Sequence, residues 1–458
     1  MRFKEHPISA NRIYQLDHFK IALNIIFIYT IFLCNSFAQV AAILSVEDQK
    51  KIIITICEKL DEIHAFPESN PKICNGLIKN IENGKYSVYK TAQAFADQLD
   101  KDLEQLQGDK HLGIFYDLKM AAEMETENEK GKDTGYLTPQ MVEEERRKNF
   151  GFKELKILDG NIGYMDLRIF FPPKYAGETA VAAMNYLSSC DALIIDLRNN
   201  GGGWDEMVTF LMSYFFDSEE SIALSTTYSR YEDEYYQSHT LSFVPGKLLA
   251  DIPVFILTSR STFSGAEAFA HYMKHLNRAT IVGETTRGGQ NPVEIQTVGY
   301  GLIMLIPSWK QISSVTETGW EGVGVNPHIV VEANDAFSVA HLKALQELEK
   351  MEEDEKARNR YLWIIEDLSA RSNPAIVDKS ILKSYAGKYG SRTIYYEKGE
   401  LYYQYGDRSK MRMTPITENY FLVDVYDYLR VKFITENDSI VGIEQVYDDG
   451  RLKKYNRE

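Results

Sequence analysis

The chain has 458 residues, and its 66 acidic residues (Asp and Glu) outnumber its 51 basic ones (Lys and Arg), which gives a formal charge of −15 at pH 7. That balance argues against nucleic acid as a partner, because proteins that follow a phosphate backbone usually carry excess positive charge. The composition is that of a globular protein, and the length predicts two or three domains. Four cysteines in so long a chain exclude a small domain framed by disulfides.

The N-terminal segment predicts export. Residues 21–34 form the most apolar run of the chain, but a span of the bilayer needs about 20 such residues. Small residues, Ser36 and Ala38, stand at the −3 and −1 positions of a cut after Ala38. The pattern therefore predicts a signal peptide over residues 1–38 and a secreted or periplasmic product with no stable membrane span. An uncleaved anchor and a lipoprotein attached through Cys34 are the weaker alternatives.

Three cysteines remain after that cut, and their state stays open. Cys57 and Cys74 lie 17 residues apart in a predicted pair of helices, so they could bridge in an oxidising compartment. The alternative is three buried free thiols, including Cys190. None of the three has neighbours typical of a nucleophile.

The first part of the mature chain is predicted to be helical. Apolar residues recur at spacings of three and four from Ser45 to Leu106, with one interruption around Pro67 and Pro71. Residues 122–148 are rich in Glu, Lys and Arg and poor in apolar positions, which predicts an exposed helix or a mobile connection.

Strands and helices alternate between residues 161 and 332. Short β-branched runs at residues 162–167, 192–197, 254–258 and 280–283 predict buried strands, and amphipathic helices are predicted at 176–188, 204–216 and 264–276. This order indicates βαβ units and a largely parallel sheet, whose functional groups belong at the carboxyl ends of the strands.

The last part of the chain changes character twice. Residues 335–372 are again predicted to be helical, and the segment from Ser384 onward is predicted to be all-β. That segment holds 12 of the 29 tyrosines and has turn signals at Gly399, Gly406 and Gly450. A small meander or barrel fits the alternation of its residues.

Two motifs at the ends of predicted strands have the residues of an acyl-transfer site. Asp196 to Gly203 runs from a strand into three glycines, whose backbone N–H groups are free to point at an anion. The glycine pattern of dinucleotide sites and the lysine of a P-loop are absent. Ser264 stands at the start of a helix, beside unpaired amides that can stabilise an oxyanion. Helix capping by Ser264 and Glu267 explains the second motif equally simply.

Together these motifs resemble one family. The chain carries D-L-R-x-N-x-G-G from Asp196, T-S-x-x-T-x-S-x-x-E from Thr258, R-A-x-I-V-G-E-x-T-x-G-G from Arg278 and E-G-x-G-V-x-P from Glu321. Their order and spacing resemble those of the tail-specific serine peptidases, which include the C-terminal-processing proteases, the tricorn core and interphotoreceptor retinoid-binding protein. The resemblance covers about residues 90–335.

The resemblance implies roles for individual residues. It makes Ser264 the nucleophile, with oxyanion donors at the backbone N–H groups of Gly265 and Gly202. The processing proteases have a lysine where this chain has Gly289, so the resemblance favours the tricorn-like branch. In that branch His111 is the general base and Glu321 supports it. Lys110 stands where a small hydroxyl residue often precedes the histidine, so a polar bridge through such a hydroxyl is not expected.

Metal ions, cofactors and a peptide-binding PDZ module are not expected. Glu267, His271 and His275 share one helix face, but the H-E-x-x-H pattern and a third ligand are missing. The predicted fold is an α/β, ClpP/crotonase-like core with a helical N-terminal subdomain and a small all-β C-terminal domain. The predicted boundaries are 1–38 for the signal peptide, 39–120 for the helical subdomain, 121–150 for a charged connector, 151–335 for the peptidase core, 336–375 for a helical linker and 376–458 for the β-domain.

The sequence therefore predicts an exported serine peptidase that cleaves unstructured or C-terminal peptide segments through an acyl-enzyme. The alternative is a non-catalytic protein of the same fold that binds a ligand or a peptide. A peptide or unfolded protein is the expected partner, and a homo-oligomer is left open.

Overall fold

The computed structural model describes residues 42–107, 109–129, 137–217, 221–437 and 439–458. The predicted signal peptide, residues 1–38, lies outside these ranges. Within them, no helix combines the length and the apolar composition needed to cross a membrane.

The N-terminal region contains three helices, α1 (Val46–Ile63), α2 (Asn70–Glu82) and α3 (Ala92–Leu106), followed by strand β1 (Gly113–Tyr116). Helix α1 begins at a capping box, in which the Ser45 hydroxyl accepts the Asp48 N–H and the Asp48 carboxylate accepts the Ser45 N–H. Cys57 and Cys74 are joined in a disulfide that links α1 to α2, and Cys190 is free and buried.

These helices do not form a core of their own. Strand β1 pairs with β10 (Leu302–Pro307), which pairs with β9 (Val293–Gly299), and all three are antiparallel. The helices bury their apolar faces against this sheet, so that Ile56 and Leu99 share one core with Met304. The helical region is therefore anchored to a hairpin that lies about 200 residues later in the chain.

The charged segment forms α4 (Leu118–Glu129) and α5 (Pro139–Arg147). It leads into a six-stranded sheet with the order β12-β8-β7-β4-β3-β2. The pairs are parallel except for β2 with β3. The strands are β2 (Phe152–Leu158), β3 (Ile162–Leu167), β4 (Ala192–Asp196), β7 (Val254–Thr258), β8 (Thr280–Gly283) and β12 (Ile329–Val330).

Helices cover both faces of this sheet because alternate residues of each strand point to opposite sides. Ile195 and Ile256 pack with α6 (Pro173–Leu187), α7 (Asp205–Met212) and α8 (Gly265–His275). Ile194 and Phe255 pack with α9 (Ala336–Met351) and α10 (Glu355–Ser372). The predicted helical linker is thus a layer of the α/β core. A separate antiparallel sheet has the order β11-β5-β6, from Trp309–Ser313, Ala223–Ser229 and Glu234–His239.

The C-terminal region begins with α11 (Lys379–Ser384) and continues as eight antiparallel strands paired in sequence order. The Glu458 N–H donates to the Lys388 carbonyl at 2.9 Å, which nearly closes the sheet. The buried Arg430 stacks on Trp363 of α10 at 3.5 Å and so ties this region to the core. The predicted α/β class, with a helical N-terminal region and an all-β C-terminal region, is confirmed. The strands are β13 (Gly387–Tyr389), β14 (Arg392–Glu397), β15 (Glu400–Tyr405), β16 (Met411–Pro415), β17 (Tyr420–Val423), β18 (Tyr426–Glu436), β19 (Ser439–Tyr447) and β20 (Leu452–Asn456).

Candidate active site

Ser264 lies in a strained turn between strand β7 and helix α8. Its backbone angles are φ 52° and ψ −123°. Positive φ is uncommon for a residue with a Cβ and persists only where the surrounding structure enforces it. The turn places a half-buried serine at the carboxyl edge of the parallel sheet, where α/β proteins hold their functional groups.

The fully buried carboxylate of Glu267 holds this turn in place. It accepts the N–H of Ser264 at 3.0 Å, the N–H of Gly288 at 2.7 Å, the N–H of Gly289 at 2.8 Å and the hydroxyl of Thr286. Burial raises the pKa of Glu267, and the four hydrogen bonds oppose that effect. Three of the four neighbours are backbone N–H groups, which can only donate, and each Glu267 oxygen accepts at least one of them, so we assign it as a carboxylate.

The two predicted oxyanion donors differ in their surroundings. Gly265 contributes the first amide of α8, which has no helical carbonyl to bind. Gly202 has φ +108°, and a Cβ at that position would lie only 2.7 Å from the Ser264 Cβ. The Gly202 N–H, however, donates to the Asn200 side chain at 2.8 Å. It can serve an oxyanion only if Asn200 shares it or moves away.

His111 lies in the loop between α3 and β1, with only 6% of its surface exposed. Its ring packs on Phe263, the residue before Ser264, with the ring centres 4.4 Å apart. Neither ring nitrogen has a hydrogen-bond partner among the described residues, so no bond to Ser264 forms. Burial, with a smaller contribution from Arg287, lowers the pKa of His111 to about 4, so the ring is neutral near pH 7.

The position of Gly289 explains the missing lysine in physical terms. A Cβ on Gly289 would lie 2.7 Å from His111 Cε1, and it would also run into the Phe263 ring. The space that a side chain at this position would need is therefore filled by the imidazole and the phenyl ring. A Ser-Lys dyad through this position is incompatible with the observed packing.

Glu321 joins the histidine loop to the loop after β8. Its Oε1 accepts the Lys110 N–H at 3.2 Å, and its Oε2 accepts the Gln290 N–H at 2.6 Å. Burial, together with the nearby charge of Asp109, raises the pKa of Glu321 to about 7. Its carboxylate lies close to the His111 ring, since the candidate ligand atoms of Asp109, His111 and Glu321 all lie within 4.8 Å of one another.

Asp109 is a site residue that the sequence analysis missed. Its Oδ1 accepts the His111 N–H at 2.8 Å, and its Oδ2 accepts an N–H of the Asn291 side chain at 2.9 Å. Burial raises the pKa of Asp109. The available signal was an aspartate two residues before the candidate base, in a short polar loop.

The predicted helix-face grouping of Glu267, His271 and His275 does not form a ligand set. His271 lies 4.4 Å from His275 between ring centres, but the Glu267 oxygens are engaged by the four donors described above. The structure thus brings together a strained serine, a neutral buried imidazole and two carboxylates. This combination suits acyl transfer by an activated hydroxyl.

Comparisons with known proteins point to one family. The model of peptidase family S41 matches residues 161–331, and the model of the N-terminal domain of this family in eukaryotic IRBP matches residues 35–150. Together the two models match more than half of the chain.

One curated relative is the carboxy-terminal processing protease CtpB of Bacillus subtilis (strain 168), which is 21% identical over 198 residues. The match covers 43% of this chain and 39% of that protein, so the chain spans about two fifths of its length. Two solved structures match part of this chain. A lipoprotein from Streptococcus agalactiae has 14% identity and a TM-score of 0.43, covering 65% of this chain and 96% of that one. A putative peptidase from Parabacteroides merdae ATCC 43184 has 19% identity and a TM-score of 0.42, covering 66% and 97%.

Proposed function

The chain belongs to peptidase family S41, and from that premise we propose that it is an exported serine peptidase. It hydrolyses peptide bonds in unstructured or carboxy-terminal segments, the latter by analogy with the carboxy-terminal processing protease that it resembles. The observation that carries the proposal is the strained Ser264 beside the first amide of α8, with the buried imidazole of His111 packed against the same turn.

In the proposed reaction, Ser264 Oγ attacks the carbonyl carbon of the scissile peptide bond. His111 takes the proton from the hydroxyl and then gives it to the leaving amine, which is released as the acyl-enzyme forms. A water molecule attacks the ester in the second half of the cycle, with His111 again acting as the base. The Gly265 N–H stabilises the oxyanion in both halves.

The carboxylates next to His111 assist each proton transfer. A neutral imidazole is the form that can accept a proton, and the lowered pKa of His111 keeps it in that form. When the ring becomes positively charged, the nearby Glu321 and Asp109 stabilise it electrostatically. The contact of His111 with Ser264 has to form with substrate bound, as catalytic hydrogen bonds often do.

Two observations support export. The apolar run at residues 21–34 precedes small residues that suit a signal-peptidase cut. Independently, the disulfide between Cys57 and Cys74 is of the kind that persists in oxidising compartments. The proposed location is therefore the periplasm or the extracellular medium.

A second candidate function is the binding of a peptide or ligand without cleavage. It is favoured by the donation of the Gly202 N–H to Asn200 and by the absence of a bond from His111 to Ser264 among the described residues. In such a protein the site around Ser264 would hold an extended segment, and no acyl-enzyme would form.

Labelling with a fluorophosphonate probe separates the two functions. The peptidase should be labelled at Ser264, Ser264→Ala should not be labelled, and His111→Asn should be labelled at least about a hundredfold more slowly, since a positioned general base contributes that much or more. Ser261→Ala, which changes an exposed serine in the same turn, is the matched control and should react like the wild type. Folded wild-type protein that takes up no probe would support the binding function instead.

A further inference from the structure

The side chains of Asp109, His111 and Glu321 converge on one point. Each offers an atom that can bind a metal ion, and these atoms all lie within 4.8 Å of one another. Two of the residues come from the loop before β1 and the third from the turn after β11, so the fold brings distant segments together. Within the described ranges this is the one group of three His, Cys, Asp or Glu side chains with such spacing.

The imidazole in this group has unused capacity to bind a ligand. His111 is 94% buried, and both of its ring nitrogens lack a partner among the described residues. Buried polar atoms are nearly always paired, so an unpaired ring calls for an explanation. Nδ1 lies 3.8 Å from Asp109 Oδ1, which is too long for a hydrogen bond. Proton transfer with Ser264 would use only one of the two nitrogens.

Neighbouring donors fix the two carboxylates without exhausting them. Asp109 accepts the His111 N–H and the Asn291 amide, and Glu321 accepts the N–H groups of Lys110 and Gln290 and, at 3.5 Å, the Asn291 amide. An ionised carboxylate has about four sites for accepting hydrogen bonds or metals, so both retain free lone pairs. Donors of this kind orient ligands in known metal sites.

The charge at this point also favours a cation. Two carboxyl groups face one neutral imidazole, so the group carries an excess of negative charge when both are ionised. The guanidinium of Arg287, whose charge acts on His111, is stacked on the Phe263 ring at 4.7 Å and forms no ion pair among the described residues. Lys110 directs its ammonium group toward Glu104, at 3.7 Å. No side chain of the described residues therefore neutralises the pair of carboxylates directly.

We propose that Asp109, His111 and Glu321 bind one Zn²⁺ ion, which blocks the peptidase reversibly by occupying the base. The inhibitory half of this statement rests on the proposed function. One nitrogen and two oxygens suit Zn²⁺, with water as a fourth ligand, whereas Mg²⁺ and Ca²⁺ prefer oxygen alone. Ligands at about 2.0–2.2 Å from one zinc ion are at most about 4 Å apart, so the widest pair must close by roughly 1 Å.

Binding is measured on Ser264→Ala, which keeps the three ligands and cannot cleave itself. Calorimetric titration with ZnCl₂ should show one ion per chain, and MgCl₂ should show no binding. Added to that background, Asp109→Asn and Glu321→Gln should each weaken zinc binding at least tenfold. Circular dichroism establishes that each variant is folded. If Asp109→Asn fails to fold, the half-buried Glu321 still gives a valid test.

Two control variants separate this site from other sources of binding. Glu104→Gln removes a nearby charge that is not a ligand and should leave zinc affinity within twofold. His275→Asn removes the exposed member of the neighbouring histidines His271 and His275 on α8. It should also leave zinc affinity within twofold. Loss of binding in His275→Asn, or unchanged binding in both ligand variants, would overturn the site.

Inhibition is measured on the wild-type protein. Saturating Zn²⁺ should slow fluorophosphonate labelling at least tenfold, and EDTA should restore the original rate. Zinc binding without a change in labelling would overturn the inhibitory half of the proposal. Wild-type protein that binds zinc but never reacts with the probe in EDTA would refute the peptidase function and support the metal site.

Discussion

The Glu267 carboxylate anchors two segments of the candidate site, the Ser264 turn and the loop of residues 286–289. One of its oxygens accepts from Thr286 and Gly288, and the other accepts from Ser264 and Gly289. The nucleophile turn and the loop that packs against His111 therefore share a single anchor. Because hydrogen bonds to a buried charge are stronger than neutral ones, this anchor can hold the positive φ of Ser264.

We expect Glu267→Gln to loosen this anchor. The amide group of glutamine would turn an N–H toward groups that are themselves donors, and each buried group left unpaired costs about 1–3 kcal/mol. Urea unfolding should show a loss of that order, and the folded variant should react with a fluorophosphonate at least about tenfold more slowly. Glu206→Gln, an exposed glutamate in the first turn of α7, is the matched control. Wild-type labelling by folded Glu267→Gln would contradict the anchoring role.

Residue types alone did not reveal which groups meet at this site. Ser264, Gly265 and Glu321 could be found because they stand in motifs. The predicted capping role of Glu267 accounts for its bond to the Ser264 N–H. Its three other donors come from residues 286–289 and cannot be seen from local sequence. Asp109 was missed for a similar reason, since its partner Asn291 lies 182 residues away.

At the scale of elements, strands and helices with local periodicity were predicted and long-range pairings were not. The four predicted core strands and the helices at 176–188, 204–216 and 264–276 are confirmed, because buried β-branched runs and amphipathic faces leave a strong local pattern. The sheet of β1, β10 and β9 was not predicted. Strand β1 is far in sequence from the β9–β10 hairpin, and nothing in β1 itself specifies a partner in the segment 302–307.

Helix α8 contains a histidine whose burial links stability to pH. His271 is 4% exposed and lies against Trp320, and burial, with help from His275 and Lys274, lowers its pKa from 6.5 to about 4. Between these two values the unfolded chain binds the proton and the folded chain does not. Stability should therefore rise with pH across this window and should be lost as the pH falls through it.

We expect His271→Phe to reduce this pH dependence, leaving the contribution of His111, whose pKa is also lowered to about 4. The difference between pKa 6.5 and about 4 corresponds to at most about 3.4 kcal/mol, and phenylalanine retains a ring against Trp320 but cannot titrate. The measurement is the urea midpoint at several pH values between 4 and 7, with EDTA present. His275→Phe, at an exposed position on the same helix, should keep most of the wild-type slope. Equal slopes in wild type and His271→Phe would exclude His271 as the cause.

At the scale of the whole molecule, the proposed base and the proposed nucleophile lie in different parts of the fold. Ser264 lies on the six-stranded sheet with its two layers of helices. His111 lies in the loop between α3 and β1, next to Leu112 of the core that the helical region forms with β1, β10 and β9. Relative movement of these parts would change the distance between His111 and Ser264, so the rigidity of the helical region bears directly on catalysis.

The disulfide of the helical region should therefore support both stability and activity. It closes a loop of 17 residues between α1 and α2, and a loop of that size is worth about 3 kcal/mol through the unfolded state. The double variant Cys57→Ser/Cys74→Ser should lose stability of that order in thermal or urea unfolding, and dithiothreitol should reproduce the loss in the wild type. Cys190→Ala, which removes the free thiol, is the control. It should lose as much stability in dithiothreitol as the wild type does, because both contain the disulfide. If the double variant is as stable as the wild type, the disulfide does not stabilise the helical region. The disulfide would then no longer support export.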